Sequence, residues 1–186
     1  MSAKVSVYIA TSLDGFIARK DGGLDWLDKA NATVPAGEDL GYHDFMESVD
    51  VLVMGRKTYE QVLSFGGWPY GKTRVVVLSR SPITFPPDSP DTVTHSSDSP
   101  RALYDRLSGE GAKHLYVDGG VTIQGFLAEG LVDEITLTVI PVILGEGIPL
   151  FGPLESDVRL THVRTQAYEF GFVQTTYRIK KNELFI

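Results

Sequence analysis

The chain has no cysteine among its 186 residues. That absence excludes disulfide scaffolds, thiol nucleophiles, iron–sulfur clusters and Cys-based zinc sites. Positive charge is also in deficit: 17 Lys and Arg stand against 24 Asp and Glu, for a formal net charge of -7. A nucleic-acid footprint needs a surplus or a strong cluster of cations, so no nucleic-acid partner is expected and any anion site must be local. No run approaches the ~20 apolar residues of a membrane helix. The apolar stretch in MSAKVSVYIATSLDG is shorter than the h-region of a secretory signal. These absences lead to the expectation of a cytoplasmic protein with no membrane partner. His43, His95, His114 and His162 are scattered, without a metal-binding spacing such as HExxH, so no metal is expected. The glycine fingerprint GxGxxG and the P-loop are missing too, which removes the usual Rossmann and NTPase readings.

What remains is a sequence that is 42% hydrophobic and alternates strand-like with helix-like segments, the pattern of an α/β domain. We expect one domain over residues 1–186. Strands are predicted at Val5–Ala10, Val51–Met54, Arg74–Leu78, around Val93, and at His114–Val117, Glu134–Leu144, Val158–Thr165 and Phe172–Ile179. Helices are predicted at Leu40–Val49, Arg56–Leu63, Pro100–Ser108 and Val121–Glu129. Thr11 to Trp26 reads as a long loop, punctuated by Asp14-Gly15 and Asp21-Gly22-Gly23.

Two places join a buried strand to a helix through glycine. In Val53-Met54-Gly55-Arg56-Lys57-Thr58, the helix start offers unpaired N–H groups, Gly55 permits close approach, and Arg56, Lys57 and Thr58 add donors for an anion. The alternative is a plain turn with two solvated cations, but cations at a helix start oppose the dipole and call for a compensating anion. In Val117-Asp118-Gly119-Gly120-Val121-Thr122, paired glycines precede a second helix start. Both turns fall at strand carboxyl ends, where open α/β sheets bind ligands, so together they point to a ligand with more than one phosphate. Ser79-Arg80 follows the strand Arg74–Leu78. If that strand neighbours the one ending at Met54, Arg80 and Arg56 can grip one phosphate from two sides. Otherwise Arg80 is an exposed strand-end cation.

Taken together, MGRKTYE, the LSR after the next strand, the VDGG turn and the opening IATSLDGFIA resemble the dihydrofolate reductase superfamily. SLDGFIA, LVDEI and PVILGEGIPLF are closer to its branch containing the C-terminal reductase domain of bacterial riboflavin biosynthesis. The likeness runs from about Val5 to Tyr177. It implies a three-layer dihydrofolate reductase-like α/β fold, with a mostly parallel central sheet and an antiparallel C-terminal strand. It further implies NADPH as cofactor, held by Gly55, Arg56, Lys57 and Thr58, by Leu78, Ser79 and Arg80, and by Gly119, Gly120, Val121, Thr122 and Ile123. A cis peptide often joins the two glycines in such folds. Ala10 and Ile17 fall where the family lines the nicotinamide pocket. Riboflavin-pathway relatives are commonly dimers, so a homodimer is expected.

On the substrate side, a gapless count back from Met54 puts Asp39 where dihydrofolate reductases keep their catalytic carboxylate. Its alternative is a helix-start cap. Tyr42 can stack on or hydrogen-bond a heterocycle, or pack in the core, and Trp26 can face the substrate or act as an apolar anchor. His43 and Asp44 depart from the lining of a folate site. The resemblance therefore implies hydride transfer to a small-molecule heterocycle, a pterin or a ribosylaminopyrimidine. Its rivals are a true dihydrofolate reductase and a non-catalytic NADP(H)-binding regulatory protein.

Overall fold

The computed structural model describes residues 2–181; residue 1 and residues 182–186 of the expected domain lie outside the described residues. The chain runs β1 (Lys4–Ser12), β2 (Phe16–Ala18), α1 (Asp25–Asn31), α2 (Tyr42–Glu47), β3 (Val51–Gly55), α3 (Arg56–Ser64), β4 (Arg74–Leu78) and β5 (Val93–Ser96). It continues α4 (Pro100–Gly109), β6 (His114–Asp118), α5 (Gly120–Ala128), β7 (Glu134–Ile140), β8 (Ile148–Pro149), β9 (Leu160–Ala167) and β10 (Val173–Ile179). Eight strands form one sheet in the order β5-β4-β3-β6-β1-β7-β10-β9. The first six are parallel, and β10 pairs antiparallel with both β7 and β9. This is the α/β architecture that the resemblance implies.

The central strands read as continuous apolar runs because both of their faces are covered. On one face Val5, Val7, Val53 and Val117 pack with Leu103 and Leu107 of α4 and with Ile123 and Phe126 of α5. On the other, Leu52, Met54, Val75, Val77 and Tyr116 pack with Tyr59 of α3, and with Phe45 and Met46 of α2. Phe126 is fully buried, so truncating it to alanine costs roughly 3–5 kcal/mol. At the start of α4, the Ser99 hydroxyl accepts the Ala102 N–H at 3.2 Å and Pro100 occupies the first turn, where its missing N–H is not needed.

Several predicted bounds shift for local reasons. The strand expected to reach Leu144 stops at Ile140, because Pro141 cannot donate to the ladder and Val142 N–H turns back to the Ile140 carbonyl at 2.8 Å. The helix expected from Leu40 starts only at Tyr42, since Leu40 (φ 59) and Gly41 (φ 82) are both left-handed. The expected loop Thr11–Trp26 contains β2 and the start of α1. Its strand β2 pairs with β8, Phe16 opposite Pro149 and Ala18 opposite Ile148; neither partner carries enough alternation to be read alone.

Candidate functional site

Because the six strands from β5 to β7 are parallel, their carboxyl ends share one edge of the sheet, and that edge gathers both glycine turns. Met54 lies opposite Asp118 across β3 and β6, and Gly55 lies opposite Leu78 across β3 and β4. The neighbouring strands that the two-arginine grip requires are therefore present: Arg56 follows Gly55 directly and Arg80 follows Leu78 by two residues. Both arginines and Lys57 are exposed. Arg56 pairs along α3 with Glu60 at 2.8 Å, whereas Lys57 and Arg80 make no ion pair among the described residues.

The two turns interlock. A Cβ on Gly119 would overlap the Thr58 hydroxyl of α3, and one on Gly55 would come within 2.8 Å of Thr122 Oγ1 of α5. Each helix thus lends a hydroxyl to the other's turn, and bare backbone is required at both. Neither α3 nor α5 has a side-chain cap at its N-terminus, so two helix starts with positive ends stand side by side, a donor set suited to a diphosphate. Gly119 makes its turn at φ 94 with trans peptides throughout, in place of the cis bond that the resemblance implies. Ile17 closes onto this place from β2: a Cβ on Gly120 would lie 3.0 Å from Ile17 Cδ1. These residues fit the phosphates of NADPH. Ile123 is different, because its side chain is fully buried and its N–H already donates to Gly119 O at 2.8 Å. Val121 is 82% exposed.

The carboxyl of Asp118 stands beside this edge. One oxygen accepts the Gly119 N–H at 2.9 Å, yet burial outweighs that bond and pushes its pKa up to about 6. Three phenols feel its charge. Burial, and then the Asp118 charge, push Tyr42 up to about 12 and also raise Tyr70 and Tyr116. The Tyr116 hydroxyl donates to Tyr8 O at 2.9 Å. A carboxyl whose pKa is raised to about 6 can hold and release a proton. Sequence reading placed Asp118 only within a turn and did not single out Tyr70. The signal for Asp118 was its position immediately before two glycines at a strand end; Tyr70, in a Gly/Pro-rich loop, carried none.

Asp39 sits elsewhere in chemical terms. It is exposed, and its two oxygens accept the N–H groups of Gly41 and His43, each at 2.9 Å, which hold its pKa below the ordinary value. It thereby satisfies the first turn of α2, which is cap geometry. Trp26 is 4% exposed and packs with Ile140 and Phe172, with Ala10 against the same cluster. Its indole N–H has no hydrogen-bond partner, and its ring lines a cleft of about 430 Å³. A second cleft, of about 540 Å³, lies beside the Leu40–Gly41 turn, lined among others by Glu38, Arg164, Gln166 and Tyr168. No group of His, Asp and Glu suited to a metal occurs among the described residues, and no helix there is long and apolar enough to cross a membrane.

Asp14 organises the loop that carries Ile17. Its carboxylate accepts the Ser12 hydroxyl at 2.6 Å and the N–H groups of Leu144 and Gly145 at 3.1 and 2.7 Å. The Leu150 N–H donates to Gly15 O at 3.0 Å. The loop after β1 is thus tied to the segment after β7.

Comparison with known proteins agrees with this geometry. The sequence matches the RibD C-terminal domain over residues 3–173. A crystal structure of a Shewanella sp. PV-4 protein, described as belonging to riboflavin biosynthesis, superposes with a TM-score of 0.89 at 43% identity, covering 96% of this chain and 99% of that one. The Bacillus subtilis (strain 168) protein YwjB is 39% identical over 163 residues, 86% of this chain and 89% of its own. The Thermotoga maritima diaminohydroxyphosphoribosylaminopyrimidine deaminase/5-amino-6-(5-phosphoribosylamino)uracil reductase shares the fold at a TM-score of 0.70 and 18% identity, with 96% of this chain covering 57% of that one. The parallel sheet with its antiparallel C-terminal hairpin, the interlocked glycine turns and this match along nearly the whole chain make the protein a member of the RibD C-terminal domain family.

Proposed function

We propose that the protein is an NADPH-dependent reductase that delivers a hydride to a C=N or C=O bond of a small heterocycle, a pterin or a ribosylaminopyrimidine. The observation that carries this reading is the pair of interlocked, uncapped helix starts, with the carboxyl of Asp118 at the turn between them. The RibD family membership supports it.

In this reading Gly55, Lys57, Thr58, Gly119, Gly120, Val121 and Thr122 take the diphosphate, with Leu78 and the core residue Ile123 shaping the turns from below. Arg56, Ser79 and Arg80 take the 2′-phosphate. Ala10 and Ile17 line the nicotinamide. NADPH, when bound, supplies the hydride. Asp118 holds the proton that the reduced bond takes up at its nitrogen or oxygen, and Tyr42 orients the heterocycle. Trp26 backs the pocket through Ala10. Asp39 serves by capping the helix that carries Tyr42. The phosphoribosylaminouracil named for the Thermotoga enzyme is the first substrate to try.

The test is a titration of the purified protein with NADPH and with NADH, following nicotinamide fluorescence, and then NADPH oxidation over a panel of pterins and ribosylaminopyrimidines. Tight, NADPH-preferring binding with turnover of one panel member is the expected result. Binding without turnover favours the non-catalytic NADP(H)-binding protein, and no binding of either dinucleotide removes the reading altogether.

A further inference from the structure

Leu40 is the only non-glycine among the described residues with a positive φ, 59°, and Gly41 follows at 82°. A side chain with a Cβ is strained in that region, so something must hold it there. The Leu40 carbonyl accepts the Tyr8 hydroxyl and, at 3.1 Å, Gln174 Nε2. The same Gln174 nitrogen reaches Tyr8 Oη at 3.0 Å and Thr138 Oγ1 at 3.2 Å. Gln174 is 4% exposed, and a buried amide of this kind is retained only where its bonds are satisfied. It projects from β10, and Tyr8 from β1 two strands away, onto the face that α2 covers.

The consequence reaches the site through α2. Gly41 is the residue from which the helix starts, and Tyr42 is the first residue within it. Tyr8 packs on this helix as well, its ring 4.7 Å from that of Phe45 and 5.7 Å from that of Tyr42. We propose that Gln174 and Tyr8 are positioning residues, a polar latch that holds the left-handed Leu40–Gly41 turn and so fixes Tyr42 at the start of α2, where the reductase reading has it orient the heterocycle. The proposal rests on the reductase reading for its consequence in catalysis, but the latch itself is a property of the chain. Neither residue touches the cofactor turns, so the latch acts on substrate and leaves NADPH binding alone.

Two variants test it. Tyr8→Phe deletes one hydroxyl and keeps the ring on Phe45; Gln174→Leu deletes the amide at similar volume. Amide hydrogen exchange at Gly41, His43 and Phe45 should quicken by about tenfold in both, the effect of losing roughly one buried hydrogen bond, while exchange in α5 stays as in the parent. The dissociation constant for NADPH should stay within about twofold, and KM for the reduced substrate should rise roughly tenfold with kcat changing far less. Unchanged exchange across 40–45 in Tyr8→Phe overturns the latch, even if Gln174→Leu fails to fold. Faster exchange with equal losses in NADPH and substrate binding overturns the positioning role. If the parent protein turns over no panel substrate, the reductase reading has failed, and the exchange measurement still decides the latch.

Discussion

The Thr58 hydroxyl of α3 stands in the space that a side chain on Gly119, at the start of α5, would need. Two helices rising from neighbouring strands thus meet at the sheet edge, and a substitution at either end of this contact disturbs both glycine turns. Gly119→Ala meets a steric overlap and also a backbone angle of 94°, so it should lower stability by roughly 2–4 kcal/mol and weaken NADPH binding. The double variant Thr58→Ala/Gly119→Ala should recover the steric part and not the backbone part. Thermal melts of the three proteins, with and without NADPH, check this; a Gly119→Ala protein that melts with the parent refutes it.

Arg56 and Arg80 should separate the two dinucleotides. The Arg56–Glu60 pair is exposed and lies along one helix, so its loss should change stability by no more than about 0.5 kcal/mol. Replacing both arginines by alanine should weaken NADPH by about tenfold or more and leave NADH nearly unchanged, since a 2′-phosphate loses charge-assisted bonds that its unphosphorylated counterpart never makes. Equal losses measured by fluorescence titration would remove the 2′-phosphate assignment.

Asp118 should make both stability and turnover depend on pH. Its pKa is raised from 3.8 to about 6 by burial, so the folded state favours the protonated form. The contribution of Asp118 to stability is therefore greatest at acid pH and falls as pH rises from the ordinary carboxylate value through about 6. Asp118→Asn removes that penalty and can still accept the Gly119 N–H. It should be more stable than the parent at pH 8, by roughly 2–3 kcal/mol at most, with the advantage gone near pH 4. The limb of the kcat profile near pH 6 should vanish with it. Melts at the two pH values and a pH–rate profile check both halves.

Asp14 works in the opposite direction. The Ser12 hydroxyl, followed by the N–H groups of Leu144 and Gly145, holds its pKa below the ordinary value. The stability that it confers is present above the ordinary carboxylate value and is lost as pH falls through the lower folded value. Asp14→Ala should free the loop after β1 from the segment after β7, visible as faster exchange of the Leu144 and Gly145 amides and a weaker hold on the reduced nicotinamide through Ile17. Unchanged exchange at those two amides would refute the tie.

Much of the frame was legible in order along the chain. Val51–Met54, Arg74–Leu78 and His114–Val117 are short apolar runs ended by glycine or polar residues, and each became a central parallel strand within a residue of its predicted bounds. The glycine turns were readable for the same reason: a strand, a glycine and a helix start are local features, and their common edge follows from parallel pairing. The surroundings of Asp39 were not legible in the same way. A gapless count reaches its position, and the structure shows its carboxylate bonded to the N–H groups of Gly41 and His43 at the start of α2, the helix that follows it. Asp118 acquired its raised pKa from the desolvation that the assembled fold imposes on it, which no neighbouring stretch of sequence displays. Hydrophobic period and glycine act over a few residues, so the order of strands and helices and the two glycine turns could be read along the chain. The half-buried state of the Asp118 carboxyl, the bonding of Asp39 to the start of α2, and the reach of Gln174 and Tyr8 to the Leu40 turn arise from the fold, because desolvation and long-range hydrogen bonds depend on what it brings together.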